Sequence, residues 1–153
     1  MVGAHQDQFD QYYDLLKCFG PKPQLIGPVG HAATLKLALN HLIASHATSF
    51  SFSLGLIEKS GIDVDIFMSI LNGSSLMAPM YAKKLPNWIN HTYENPNFPL
   101  KHLIKDVDLI LEEAHREQLN THILAAIREV LGKAEKEGLS ESDYSAVYEV
   151  IKK

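Results

Sequence analysis

The chain has 153 residues, 46% of them hydrophobic and 21% charged, the composition of one folded globular domain with enough apolar matter for a core. The formal net charge of -4 excludes the basic field that nucleic acid or an anionic membrane would need. One cysteine, Cys18, excludes an internal disulfide and points to a reducing, cytoplasmic setting.

The opening residues MVGAHQDQFD are polar, without the apolar stretch of a signal peptide. Phe9, Tyr12, Tyr13, Leu16 and Phe19 recur at helical spacing, so the reading places one amphipathic helix over 6–18, closed by Gly20 and barred from continuing by Pro21 and Pro23. Gln24 to Ile26 reads as one short strand or an extended link, and no other strand pattern follows it. The main element is a helix from about Val29 to Ser60, preceded by Gly27, Pro28 and Gly30 and ended by Gly61 as a left-handed cap. Its apolar and small residues go nearly all round, from Leu35, Leu39 and Leu42 to Phe52 and Leu56. That predicts a central post buried on most sides. Lys36, Asn40, His41 and His46 interrupt it too often for a membrane span.

Asp63 is positioned to cap a short helix ending at Gly73, and 75–90 reads as helical but interrupted at Pro79 and Pro86. A loop follows to Pro99. Two more helices are expected: Pro99 to Gln118, and one capped by Thr121 that buries Ile123, Leu124, Ile127 and Leu131. Ser140 and Asp143 form a capping pair for a last helix with Val147, Tyr148 and Ile151 inside. The fold class is all-α, a helical bundle around one long central helix.

Lys36 breaks the pattern of the most apolar helix. A buried ammonium either snorkels, finds a partner or loses charge readily, and the last of these suits acid/base work near neutral pH. Asn40, four residues on, shares its face and could hold a polar substrate. His41 and His46 lie on different faces with no cysteine or carboxylate to complete a metal site, so no metal is expected. The serines lack a sequence arrangement that would support a nucleophile. On spacing alone, Lys101 and Lys105 form a solvated stripe, and Asp106 is a surface charge.

The run Gly27-Pro28-Val29-Gly30-His31-Ala32-Ala33-Thr34-Leu35-Lys36-Leu37-Ala38-Leu39-Asn40 resembles the G-x-x-G-x-G-x-x-x-K-x-x-x-N signature of the β-hydroxyacid dehydrogenases, with Ala32 at the third glycine. Phe98 to Asp106 is similar to that family's F-x-x-x-x-x-x-K-D segment, and Asp143-Tyr144-Ser145-Ala146 to its D-x-S-A. The resemblance covers essentially the whole chain. It implies that Lys36 is the general acid/base, that Asn40 and Gly30 contact substrate, and that Lys105 reaches the nicotinamide end of an NAD or NADP site. It also implies a small hydroxyacid or aldehyde-acid substrate and a homodimer or larger assembly. Residues 1–26 then read as the end of a nucleotide-binding domain and 27–153 as a helical substrate and dimerisation domain. No G-x-G-x-x-G follows a strand, so the phosphate-binding turn is expected on a preceding domain. The rival from another class is a non-catalytic helical module that serves dimerisation through its long apolar helix.

Overall fold

A computed structural model describes residues 1–153, which fall into two compact units, 1–39 and 40–153.

In the first unit, β1 (Val2–Gly3) pairs in parallel with β2 (Leu25–Gly27). Between them the expected single helix is two, α1 (Gln6–Gln11) and α2 (Tyr13–Lys17), because Tyr12 leaves the helical region at φ -105°, ψ 10°. Of the apolar residues expected to form its inner face only Phe9 is buried, while Tyr12, Tyr13 and Phe19 are exposed. Without an apolar surface to lie on, nothing holds the two turns in one line. The long helix α3 (His31–Lys59) begins in this unit. Its entry bends through Gly27 (φ +146°) and Gly30 (φ +102°). A Cβ on Gly27 would lie 2.7 Å from His31 Nδ1, so glycine is required there on two counts.

In the second unit α3 runs on to its end at Lys59 and is followed by α4 (Val64–Asn72), α5 (Pro79–Asn90), α6 (Leu100–Arg116), α7 (His122–Lys136), a 3-10 turn (Tyr144–Val147) and α8 (Tyr148–Ile151). No sheet occurs beyond β2; Pro99 and Asp143 make an isolated bridge. One core layer joins Ala44 and Ala47 of α3 to Leu100, Leu103 and Val107 of α6 and to Leu124, Ile127 and Leu131 of α7. A second is aromatic, with Phe50 of α3 4.5 Å from the Tyr81 ring and 4.6 Å from Trp88, both on α5. No helix is long and apolar enough to cross a membrane.

Several expectations need correction. The long helix is not buried on most sides: its buried residues are Ala44, Ala47, Phe50, Ser51, Leu54 and Gly55, a single broad stripe, whereas Leu42, Phe52 and Leu56 are half or more exposed. One chain supplies partners for that stripe only. Pro79 and Pro86 do not interrupt α5. Pro79 sits in the first turn, where no donor is needed, and the helix runs through Pro86. Ile123 is exposed, one residue off the 124/127/131 stripe that faces α6. Thr121 precedes α7 without a side-chain capping bond; Asn120 Oδ1 accepts the His122 N–H instead, at 3.0 Å. At the C-terminal end Asp143 acts without Ser140, accepting the Ser145 N–H at 3.1 Å. The caps at Asp63 and Gly61 stand as read, with Asp63 accepting from Asp65 N–H at 2.7 Å and Gly61 at φ +70°.

Candidate active site

The face of α3 that buries Ala44 and Ala47 carries, further toward the N-terminus, Asn40 and then Lys36, each one turn from the next. The stripe leaves the core as it climbs. Ala44 is fully buried, Asn40 half-buried and Lys36 exposed. Lys36 is solvent-accessible. Gly30, just before the same helix, accepts the Thr34 N–H at 3.0 Å. A Cβ placed on it meets nothing within 4 Å, so Gly30 answers to its backbone angle and leaves open space above it. Ala32 is the second residue of α3, where alanine is a strong helix former and a glycine is not required.

Asn40 is held from across the bundle. Its Nδ2 donates to Asp106 Oδ2 of α6 at 2.5 Å. Asp106 is 5% exposed, which overturns its reading as a surface charge. The signal was present in the sequence, because Asp106 falls on the same helical face as Leu103, Val107 and Ile110. Lys105 is turned about 100° from Asp106 and is exposed, without an ion pair. Lys101, one turn earlier, is already paired with Glu141 at 2.7 Å. The stripe of two lysines is thus one bound and one available cation. The start of α6 is seated by the 140–142 segment, whose Ser142 and Ser140 carbonyls accept from Leu100 and Lys101 at 2.8 and 3.0 Å.

The sequence does not disclose a second polar cluster. Lys84 Nζ lies 2.6 Å from Asp143 Oδ2, with side chains 6% and 2% exposed, and 4.8 Å over the Tyr144 ring. Asp143 Oδ1 accepts from Ser145 Oγ at 2.7 Å, and Trp88 Nε1 donates to the Ser145 carbonyl at 3.0 Å. Burial, reinforced by the Asp143 charge, pushes the Tyr144 hydroxyl up to about 12. The strong donors and acceptors here are used internally, so this D-x-S-A segment is a structural clasp between α5 and the C-terminal turn.

The histidines find protein partners. His41 is 3.2 Å from Ser45 and His46 is 2.8 Å from Tyr81. No group of three metal-ligating side chains forms. Two hollows lie elsewhere, one of about 400 Å³ lined by Val2, Leu16, Phe19 and Pro23, and one of about 440 Å³ along α3 lined by Thr48, Phe52, Val130 and Ile151.

Residues 30–151 match the family model described as NAD-binding of NADP-dependent 3-hydroxyisobutyrate dehydrogenase. The chain is 34% identical over 152 residues to the chloroplastic glyoxylate/succinic semialdehyde reductase 2 of Arabidopsis thaliana, covering 99% of this chain and 42% of that protein. It is 33% identical over 144 residues to reductase 1 of the same plant, covering 94% and 50%. A 29% identity over 140 residues links it to the cytokine-like nuclear factor N-PAC of Homo sapiens, 90% of this chain against 25% of that one. In fold it is similar to the 3-hydroxyisobutyrate dehydrogenase of Mycobacterium tuberculosis solved with L-serine, at TM-score 0.87 and 17% identity, covering 99% of this chain and 54% of that one. The chain therefore spans half or less of the length of these curated relatives.

Proposed function

The chain belongs to the 3-hydroxyisobutyrate dehydrogenase family, and we propose that it forms the helical half of an NAD(P)-dependent oxidoreductase acting on a small hydroxyacid or semialdehyde. In this reading residues 1–26 close a nucleotide-binding domain and 27–153 supply the substrate wall and the dimer contact. The observation that carries it is the family match over residues 30–151, which holds Lys36 and Asn40 at the motif's spacing of four.

The chain's fit to a nicotinamide nucleotide is partial. It has no glycine-rich turn after a strand to cradle phosphates, and its contribution is an exposed cation, Lys105, on the helix that also carries Asp106. When bound, the cofactor supplies or accepts the hydride. Lys36 Nζ gives a proton to the substrate oxygen during reduction and takes the hydroxyl proton during oxidation. Asn40 holds the substrate from the next turn, and the open space at Gly30 leaves room for its carboxylate near the positive end of α3.

The location we infer is cytoplasmic, resting on the lone Cys18. The assembly we infer is a homodimer or larger, supported by the unpartnered apolar side of α3, with Phe52 65% and Leu56 57% exposed. The second reading, a helical module for association without catalysis, has the same exposed face in its favour. The test is turnover by the full-length protein with NADH or NADPH and glyoxylate or succinic semialdehyde. Reduction of either aldehyde supports the enzyme; a protein inert to both, yet losing its dimer on Phe52→Asp in sedimentation, supports the module.

A further inference from the structure

The chain has seven asparagines, and one of them, Asn72, is followed by glycine. The pair stands at the end of α4, both residues exposed, with Asn72 the last helical residue and Gly73 its cap. Three asparagines elsewhere have their carboxamides held: Asn40 by Asp106, Asn87 by Ser145 and Asn120 by the His122 N–H. The Asn72 carboxamide makes no hydrogen bond to the protein. The other three, Asn90, Asn95 and Asn97, precede His91, Pro96 and Phe98, a proline without an N–H and two bulky side chains.

Gly73 is not there for its backbone angle. Its φ of -82° and ψ of 0° are open to any L-residue, and a Cβ would lie 3.6 Å from the Ile70 carbonyl oxygen, an ordinary contact. What glycine supplies instead is an unshielded nitrogen. The bond that closes the last turn is made by the next residue, Ser74, whose N–H reaches the Leu71 carbonyl at 3.0 Å. The Gly73 nitrogen is thus next to a carboxamide that nothing restrains.

We propose that Asn72–Gly73 is a self-modification site, at which the exposed end of α4 converts Asn72 into aspartate and isoaspartate with solvent water as the co-reactant. The Gly73 nitrogen gives its proton to solvent base and bonds to Asn72 Cγ; the Cγ–Nδ2 bond breaks and ammonia leaves. The product is a five-membered succinimide. Water opens that ring at Cγ to give aspartate, or at the main-chain carbonyl to give isoaspartate, in which the chain continues through the side chain. Helical ψ at Asn72 turns the Gly73 nitrogen away from Cγ, so ring closure needs the last turn to open, as helix ends readily do. The new carboxylate then faces the negative end of the α4 dipole and keeps that turn loose. This chemistry is independent of the catalytic reading above.

The test is to hold the full-length folded protein at mildly alkaline pH over days, digest it in acid, where the ring does not close, and measure the peptide masses. The peptide containing Asn72 should gain one mass unit and separate into two isomers, while those with Asn40, Asn87 and Asn120 stay unchanged. Gly73→Ala, which the backbone accepts, should slow the gain about tenfold or more, because the added methyl shields the attacking nitrogen. Asn72→Gln, which would have to close a six-membered ring, should abolish it. A folded protein that keeps Asn72 intact overturns the proposal, and a urea-unfolded sample run alongside shows whether α4 is what protects it. Conversion of Gly73→Ala within about threefold of the wild-type rate also overturns it, since plain hydrolysis by water needs no neighbouring nitrogen.

Discussion

Two polar clusters in this bundle use similar ingredients and end differently. At the C-terminal clasp, Lys84, Asp143 and Ser145 are all buried and each uses the others, down to a tryptophan indole that closes the last carbonyl. On α6 a buried carboxylate, Asp106, again anchors its neighbour, but Asn40 is only half-buried and its carboxamide oxygen takes no hydrogen bond from the protein. A lysine near a carboxylate is thus poor evidence of chemistry. What separates the two is whether polar capacity is left over once the fold is satisfied.

The largest expected effect would break the comparison at its open end. In the full-length protein, Lys36→Ala should lower kcat by about 10²–10⁴-fold, the usual contribution of a general acid/base, with the melting temperature little moved. Lys36→Arg should fail nearly as badly, since a guanidinium does not exchange its proton near neutral pH. Turnover within about threefold of wild type for either would mean that this lysine is a surface residue whose stem covers apolar atoms.

The closed end should respond in stability instead. Lys84→Ala leaves Asp143 as a buried unpaired charge and should cost about 3–5 kcal/mol in chemical denaturation. Urea unfolding that shows a loss below about 1 kcal/mol would mean that water or a neighbour replaces the ammonium.

A smaller effect belongs to Glu149, which accepts from Tyr93 at 2.6 Å and from His91 at 2.7 Å. Burial raises its carboxyl, but those two bonds together with the nearby charges of Lys152 and His91 outweigh it and hold the group below its usual range. A depressed folded value contributes stability above the ordinary glutamate range and loses it as pH falls through the folded value. Glu149→Gln should therefore cost about 1 kcal/mol at neutral pH and progressively less in acid. Parallel melting curves for wild type and variant from about pH 7 down to about 3 would contradict this.

The smallest effect sharpens the site's far edge. Lys105→Ala should weaken cofactor binding by no more than about fivefold, as an exposed cation does, without altering stability. Lys101→Ala should leave cofactor binding unchanged, because its charge is committed to Glu141. Equal effects of the two on cofactor titrations would return both to a solvated stripe.

Much of this is legible in the residues. The helical boundaries follow from glycine, proline and period, and the motif around Lys36 is readable because it is contiguous on one helix. What escapes are matters of partnership. Asp106 sits on the apolar face of α6, yet its meaning depends on Asn40, 66 positions away. Lys84 gives no local sign of Asp143. The breadth of the apolar surface on α3 is plain from its residues, but periodicity cannot say how many neighbours one chain provides. Tyr12 shows the converse, a helical pattern divided where no core lies beneath it.

The clasp also equips the molecule with an optical gauge. Trp88 is the one tryptophan in the chain, fully buried, packed on Phe50 and hydrogen-bonded to the Ser145 carbonyl. Its emission comes from a single site and reports whether the C-terminal turn is docked on α5. Undocking would hydrate the indole and shift its emission to longer wavelength, while the helical circular dichroism of α3, α6 and α7 stayed intact. Intrinsic fluorescence and helicity that part company during unfolding would mark the C-terminal turn as the piece that leaves first.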